Sequence, residues 1–329
     1  MAVDKLRTAL NPPSVPRAWI SGNQLDVLRT AAGWLESADL QRLTAALGGP
    51  SWATQDREAL LTWSASTLDT RRGAERWDAI STTWTTEQIR GLLSAAGPLG
   101  LLHTAAPSRA SYATTVLLGG ATTGNRLRTA LARDLESRGV DLGTLVAVTA
   151  ERALSDHEHV SDPDSMADRT EWANLLRYLA DAFGPLQAGA VTTGGTGSAA
   201  WQDHQLNTAV GRNLRVLVAP SRSAHRRANT SDGLAFLLDR IPLVRRRHVL
   251  IITSAIYAPY QFFAGAPVVL SDGAEHVELV GTPTATNGDV NLLAQRIAQE
   301  IHAAVNAAAT ILRRHYCTTG PDDTPCSDA

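Results

Sequence analysis

Thr115-Val-Leu-Leu-Gly119 is a short, wholly apolar run. The turn Gly120-Ala-Thr-Thr-Gly124 closes it, and Leu127, Leu131 and Leu135 then recur along one helical stripe that stops at Gly139. An apolar run of this length without alternation marks a strand buried on both faces. Glycine just past the last stripe residue is a helix stop. The stretch therefore reads strand, turn, helix, and the same unit recurs downstream. Thr144-Leu-Val-Ala-Val-Thr149 is the second strand, and Trp172, Leu175, Leu179 and Phe183 mark the helix after it, starting near Thr170. Gly189-Ala-Val-Thr-Thr193 reads as the third strand, Leu214-Arg-Val-Leu-Val-Ala219 as the fourth and Val249-Leu-Ile-Ile-Thr253 as the fifth. Leu234, Leu237, Leu238 and Ile241 form the helix between the last two, capped by Thr230 or Ser231. Val268 to Leu270 and Val277 to Val280 read as short further strands, and a long helix closes the pattern from Asp289 to Arg313. Short strands alternating with helices make βαβ units and a parallel sheet. Right-handed crossovers then place helices on both sides. The expected fold is α/β: a doubly wound, mainly parallel, Rossmann-like sheet over residues 111–316.

The chain changes character upstream of that unit. Six of the eight tryptophans precede residue 110, and no clear strand run accompanies them. Leu25, Leu28, Ala32 and Leu35 recur at helical spacing, with Ser21 or Asn23 as the cap. Leu60, Leu61 and Trp63 fall in a second helical stretch, and Ile89, Leu92 and Leu93 in a third that stops at Gly97-Pro98. Residues 1–110 read as a helical N-terminal extension, and 317–329 as a flexible polar tail. Large apolar helical surfaces at both ends of the chain suggest a homodimer.

Composition narrows the class. The 329 residues carry 30 basic and 32 acidic side chains, a net charge of -2, which argues against nucleic acid as a partner. The two cysteines, Cys317 and Cys326, both sit in the tail and cannot build a disulfide framework or a thiolate zinc site. No apolar run is long enough to span a bilayer, and the N-terminus lacks a signal-peptide core. The expectation is a soluble cytoplasmic protein with no membrane partner.

Ligands of open parallel sheets bind outside the carboxyl ends of the strands. Here those ends lead into Gly119, Gly120, Thr123, Asn125 and Arg126, into Gly194, Gly195 and Thr196, into Ser221 and Arg222, and into Ser254. Glycine and small hydroxyl residues let backbone N–H groups approach an anion, and helix N-termini favour negative charge. Neither glycine turn matches Gly-x-Gly-x-x-Gly or a P-loop, so an ordinary dehydrogenase or kinase is not expected. The exit after the fourth strand also carries His225, Arg226, Asn229 and Thr230. Its arginines suit phosphate, and His225 suits proton transfer near neutral pH. A solvated basic loop is the plain alternative. A Ser221/His225/Asp232 triad lacks the Gly-x-Ser-x-Gly elbow. Tyr257 and Gln261 follow the fifth strand, where an aromatic ring stacks on a base or sugar or else packs the next helix. Asp156-His-Glu-His159 with Asp162 and Asp164 has metal-ligand residue types but reads as an acidic solvated loop, so no metal is assigned.

Val-Leu-Leu-Gly-Gly (116–120), Thr-Thr-Gly-Gly (192–195), Asn-Thr-Ser-Asp-Gly-Leu-Ala (229–235) and Val-Leu-Ile-Ile-Thr-Ser-Ala-Ile-Tyr (249–257) resemble the SanA/ElyC/YdcF family across about residues 114–285. The resemblance implies a Rossmann-like fold with a pocket at the strand ends, and one branch of the family is linked to S-adenosylmethionine. The family's glutamate before Asn-Thr is replaced around Ala224, its Glu-Asn after the threonine becomes Asp232-Gly233, and its arginine after the Ser-x-x-Tyr element becomes Gln261. These departures suggest a specialised branch. Arginine-rich, lysine-poor usage fits a GC-rich genome and a natural-product pathway such as antibiotic biosynthesis. In outline the chain is similar to the S-glycosyltransferase type of lincosamide pathways, which joins a nucleotide-activated sugar to ergothioneine. The resulting expectation is a transferase with no tightly bound cofactor, using a nucleotide sugar as donor and a small thiol or thione acceptor. In it, His225 or Glu171 handles the acceptor proton and Arg222 or Arg226 the leaving diphosphate. The alternatives are an S-adenosylmethionine-binding protein or methyltransferase and a non-catalytic envelope-related regulator.

Overall fold

The structure is a computed structural model that describes residues 17–51, 56–70, 84–161, 167–208, 211–223, 226, 228–241 and 248–319. The elements run β1 (Trp19–Ser21), α1 (Gln24–Leu35), α2 (Ala38–Ala46), α3 (Arg57–Thr67), α4 (Thr86–Ala96), β2 (Thr114–Leu118), α5 (Thr122–Ser137), β3 (Thr144–Ala150), α6 (Asp156–Ser161), α7 (Glu171–Phe183), β4 (Leu186–Gly194), β5 (Trp201–Thr208), β6 (Asn213–Ala219), α8 (Thr230–Arg240), β7 (His248–Ser254), α9 (Ala258–Ser271), β8 (His276–Thr282) and α10 (Val290–Thr319). The strands form one mixed sheet in the order β1-β8-β7-β2-β3-β6-β5-β4. From β8 to β6 every neighbouring pair is parallel, whereas β1, β5 and β4 pair antiparallel at the two flanks.

Successive residues of a strand point to opposite faces, and the core follows that period. Val116 and Leu118 pack on one side and Leu117 on the other. The first side carries α8, α9 and α10 together with α1 to α4, and the second carries α5 and α7. The chain winds outward from β2 through β3 to β6, with α5 and α7 on one face. It then returns to the other flank of β2 for β7 and β8, with α8 and α9 on the opposite face. The direction of winding reverses between β2 and β7.

Several expectations need correction. The N-terminal segment contributes a strand, because Trp19–Ser21 pairs with Val277 to Leu279 of β8. In α1 the buried face is Val27, Ala31, Trp34 and Leu35, while Leu25 is 53% exposed. The bulky Trp34 sets the rotation of the helix, since its indole N–H donates to Leu99 O at 3.0 Å and its ring meets Phe263 edge-on. The stretch 189–193 belongs to β4, an exposed edge strand antiparallel to β5, and not to the parallel core. The strand β5 has no apolar pattern, since Gln202, Asp203, His204, Gln205 and Asn207 dominate it. Val268–Leu270 is helical and lies in α9, which continues past Pro267. The cap of α8 is Asn229, with Asp232 completing a capping box. The long closing helix runs to Thr319, through Cys317, while Cys326 and the rest of 320–329 lie outside the described residues. The apolar surfaces that suggested a second copy, those of Trp19, Trp34 and α10, pack against one another within the chain.

Trp34→Ala is expected to cost about 3–5 kcal/mol in denaturant unfolding, from lost ring packing and a stranded Leu99 carbonyl. Leu25→Ala is expected to stay within about 0.5 kcal/mol of the parent. Equal losses for the two would refute the observed rotation of α1.

Candidate functional site

A cleft of about 940 Å³ opens at the carboxyl ends of β2, β3, β6, β7 and β8, where the winding reverses. Small-molecule sites occupy roughly 300–1,000 Å³. Gly119 and Gly120 leave β2 across its floor. A Cβ on Gly119 would lie 2.8 Å from Thr149 and 2.9 Å from Glu171 Oε1, and one on Gly120 would lie 3.0 Å from Arg128 Nη1. A side chain at Gly119 would displace Thr149 or Glu171, and one at Gly120 would press on the Arg128 guanidinium. The turn is fixed from below by a buried amide relay. Asn125 Oδ1 accepts from Gly120 N (2.9 Å), Asn125 Nδ2 donates to Asn174 Oδ1 (3.0 Å), and Asn174 Nδ2 donates to Asp168 (3.0 Å).

Arg128 is the central cation and is only 2% exposed. Its Nη1 donates to Leu118 O (2.6 Å) and Gly119 O (2.7 Å), and its Nε donates to Ser254 Oγ (3.1 Å). The guanidinium carbon stands 5.5 Å from the centroid of the Tyr257 ring. No side chain caps α5, so the N–H groups of its first turn have no such partner, and Ala121, Thr123 and Gly124 face the cleft.

The β3 side is built on one guanidinium between two carboxylates. Arg152 grips Glu158 bidentately, Nη1–Oε2 and Nη2–Oε1 both at 2.7 Å, and its Nε donates to Glu171 Oε2 at 2.9 Å. Thr149 Oγ1 donates to the other oxygen of Glu171 at 2.7 Å. Burial pushes the Glu158 carboxyl up, but bonds from Arg152 and from Ser155 outweigh it and hold Glu158 below the ordinary carboxylate range. Burial works to lower Arg152, and the two glutamates more than offset it, leaving Arg152 raised.

At the β6 side, Arg226 forms a close two-pronged ion pair with Asp232, whose Oδ2 also accepts Asn229 N at 3.1 Å. The bond to Asp232 raises Arg226. Burial raises the Asp232 carboxyl, and Arg226 together with the Asn229 N–H outweighs it and lowers the group overall. The remaining wall comes from α10, where Gln295, Arg296, Gln299 and Glu300 reach the cleft. Thr282 at the end of β8 also lines it.

The cleft gathers Gly119, Gly120, Thr123, Glu171, Arg226, Asn229, Thr230, Ser254, Tyr257 and Gln261 from the sequence-derived set. Asn125 lies beneath the floor as a positioning group, and Arg126 is exposed on the far side of α5. Gly194 ends the edge strand β4, Gly195 and Thr196 follow it, and all three stand apart from the cleft, because the antiparallel strand β5 lies between β4 and the parallel core. Ser221 and Arg222 also lie outside the lining: Ser221 Oγ turns back to Ser223 O at 2.8 Å, and its N–H bonds to Ser198 O. His225 falls outside the described residues. Arg128, Arg152, Glu158, Thr282 and the α10 wall were not among the expected residues. Glu158, in a stretch whose sequence suggests a solvated acidic loop, is buried against Arg152. Of the expected stripe, Leu131 and Leu135 pack on the core, whereas Leu127 is 38% exposed and lines the cleft, and Asn125 and Arg128 turn inward. Among the described residues no group of three or more His, Cys, Asp or Glu side chains is placed to hold a metal, and no helix is long and apolar enough to cross a membrane. No protein-family model, curated protein or solved structure matches the chain.

Arg152→Met leaves Glu158 and Glu171 buried without their cation and is expected to cost about 3–5 kcal/mol near neutral pH. Glu158 titrates lower folded than unfolded, so its contribution is complete above its ordinary value of 4.5 and fades as pH falls through the lowered folded value. The difference between parent and variant in urea midpoints should therefore hold from about pH 7.5 to about pH 4.5 and shrink as pH falls further, toward about pH 3. A difference that stayed constant over the lower part of that range would remove the ion-pair account.

Proposed function

We propose that the protein is a transferase that takes a group from a nucleotide-activated donor, best read as a nucleotide sugar, to a small thiol or thione acceptor. The observation that carries this reading is the convergence, at the reversal between β2 and β7, of the Gly119–Gly120 turn, the uncapped start of α5 and the guanidinium of Arg128 in one cleft. Strand order and helix placement support reading the parallel core as a doubly wound, Rossmann-like sheet, in which such reversals bind nucleotides. The donor diphosphate is assigned to the glycine turn and to Ser254. Tyr257 offers a ring to the base or sugar. Positive charge at the leaving diphosphate lowers the barrier electrostatically. Arg128, at the glycine turn, suits this task. A thiol or thione needs little help from a base, so the engagement of both Glu171 oxygens by Thr149 and Arg152 is compatible with transfer. The resemblance to the SanA/ElyC/YdcF family, natural-product biosynthesis and a cytoplasmic setting belong to the same proposal.

A second reading is binding of S-adenosylmethionine. The buried Glu171 carboxylate against Gly119 favours it, since an acidic group at that position suits ribose hydroxyls.

Thermal shift separates the two. A nucleoside diphosphate or nucleotide sugar at a hundredfold excess over its Kd is expected to add about 2.7 kcal/mol of stability, seen as a melting point raised by several degrees. Stabilisation by S-adenosylmethionine alone would replace the first reading with the second.

A further inference from the structure

We propose that Thr282 at the end of β8 completes a seat for a phosphoryl group, shared with the first turn of α5 and with Arg128. Thr282 is 6% exposed and lines the cleft, yet its Oγ1 has no hydrogen-bond partner among the described residues. A buried hydroxyl left unpaired opposes folding, so its retention at a cleft floor points to a partner from outside the chain. Its place is fixed. Thr282 is the register partner of Ser254, whose Oγ accepts from Arg128 Nε, so Arg128, Ser254 and Thr282 follow one another across three strand ends. Gly281 just before it packs so closely that a Cβ there would lie 2.6 Å from Ala255 N, and Thr284 just after it is tied to Leu101 O and Leu102 O.

The sign of the ligand follows from the neighbours. Several helix starts line the cleft, and they differ. The start of α8 already holds a carboxylate, because Asp232 caps it and binds Arg226. The start of α5 holds none, since Ala121 offers no side-chain cap. An open helix start with a guanidinium farther along the same helix attracts an anion. The main-chain N–H groups of the α5 start and the Thr282 hydroxyl belong to different elements, which suits the several oxygens of a terminal phosphoryl group. The inference rests on the nucleotide-donor reading only in naming nucleotides as one carrier of that group.

Inorganic pyrophosphate titrated calorimetrically into the full chain tests the seat without presuming a base. The parent is expected to bind it, Thr282→Val to bind it about tenfold more weakly with an unlowered melting point, and Thr282→Ser to recover most of the affinity. Equal affinity in the parent and the valine variant, or no pyrophosphate binding by the parent, would overturn the seat. The donor reading fails separately. If pyrophosphate binds in a Thr282-dependent way while no nucleotide stabilises the protein, the seat stands and the nucleotide donor does not. If nucleotides bind the parent and the valine variant alike, the donor reading stands and the seat does not.

Discussion

The guanidinium of Arg128 holds the two halves of the sheet in register at the place where the winding reverses. Its Nη1 closes on the last carbonyls of β2 and its Nε on Ser254 at the end of β7, so one side chain spans the gap that a reversal of strand order opens. Burial of a guanidinium is tolerated only where its donors are satisfied. Main-chain carbonyls meet that requirement, and they require the chain to leave β2 without side chains in the way. Gly119 and Gly120 follow from this constraint. So does the amide relay under the turn, which fixes the backbone of Gly120 where the arginine needs it.

Charge is then partitioned across the cleft. On the β3 side, one arginine lies between two buried glutamates, so its field is spent within the protein. On the β6 side, Asp232 occupies the helix start and takes up Arg226. The start of α5 is left without a side-chain cap beside the buried Arg128, and so is the start of α9 at Tyr257. The near-neutral total of the chain thus conceals a directional site. Of the arginines that line the cleft, Arg152 and Arg226 each have carboxylates set beside them by the fold.

The parallel core was legible because strands buried on both faces must be apolar throughout, and β2, β3, β6 and β7 announce themselves in that way. The glycine turn after β2 was legible for the same reason, as punctuation between two strong patterns. The edges were not. The strand β5 exists through its pairing with β6 and the Asp203–Arg215 ion pair, and its own residues carry no strand signature. Gly194, Gly195 and Thr196 looked like a second anion loop because a glycine run after a strand says nothing about which strand of the sheet it leaves. Arg128 was hidden because a helical stripe read from leucines alone places the arginine outside, whereas here its hydrogen bonds turn it inward and leave Leu127 to the cleft. Glu158 was hidden because its partner, Arg152, lies in the loop before the helix that carries it.

The tryptophan-rich N-terminal segment acquires a role from the same geometry. Its helices share one apolar cluster with α9 and α10, anchored by Trp19 and Trp34 against Phe262 and Phe263. Thr70, just past α3, accepts from Gln299 at 2.5 Å and Gln295 at 3.5 Å, and both glutamines also line the cleft. Ser64 meets the His302 ring from the next turn of α3 inward. A helix as long as α10 needs support along its length to present polar groups at fixed positions, since one packed only at its ends would leave that wall to fluctuate. The N-terminal helices provide this support on the side away from the sheet. The segment that looked like an addition to the α/β unit is therefore the outer buttress of the cleft itself, and the polar wall of α10 is positioned from both sides.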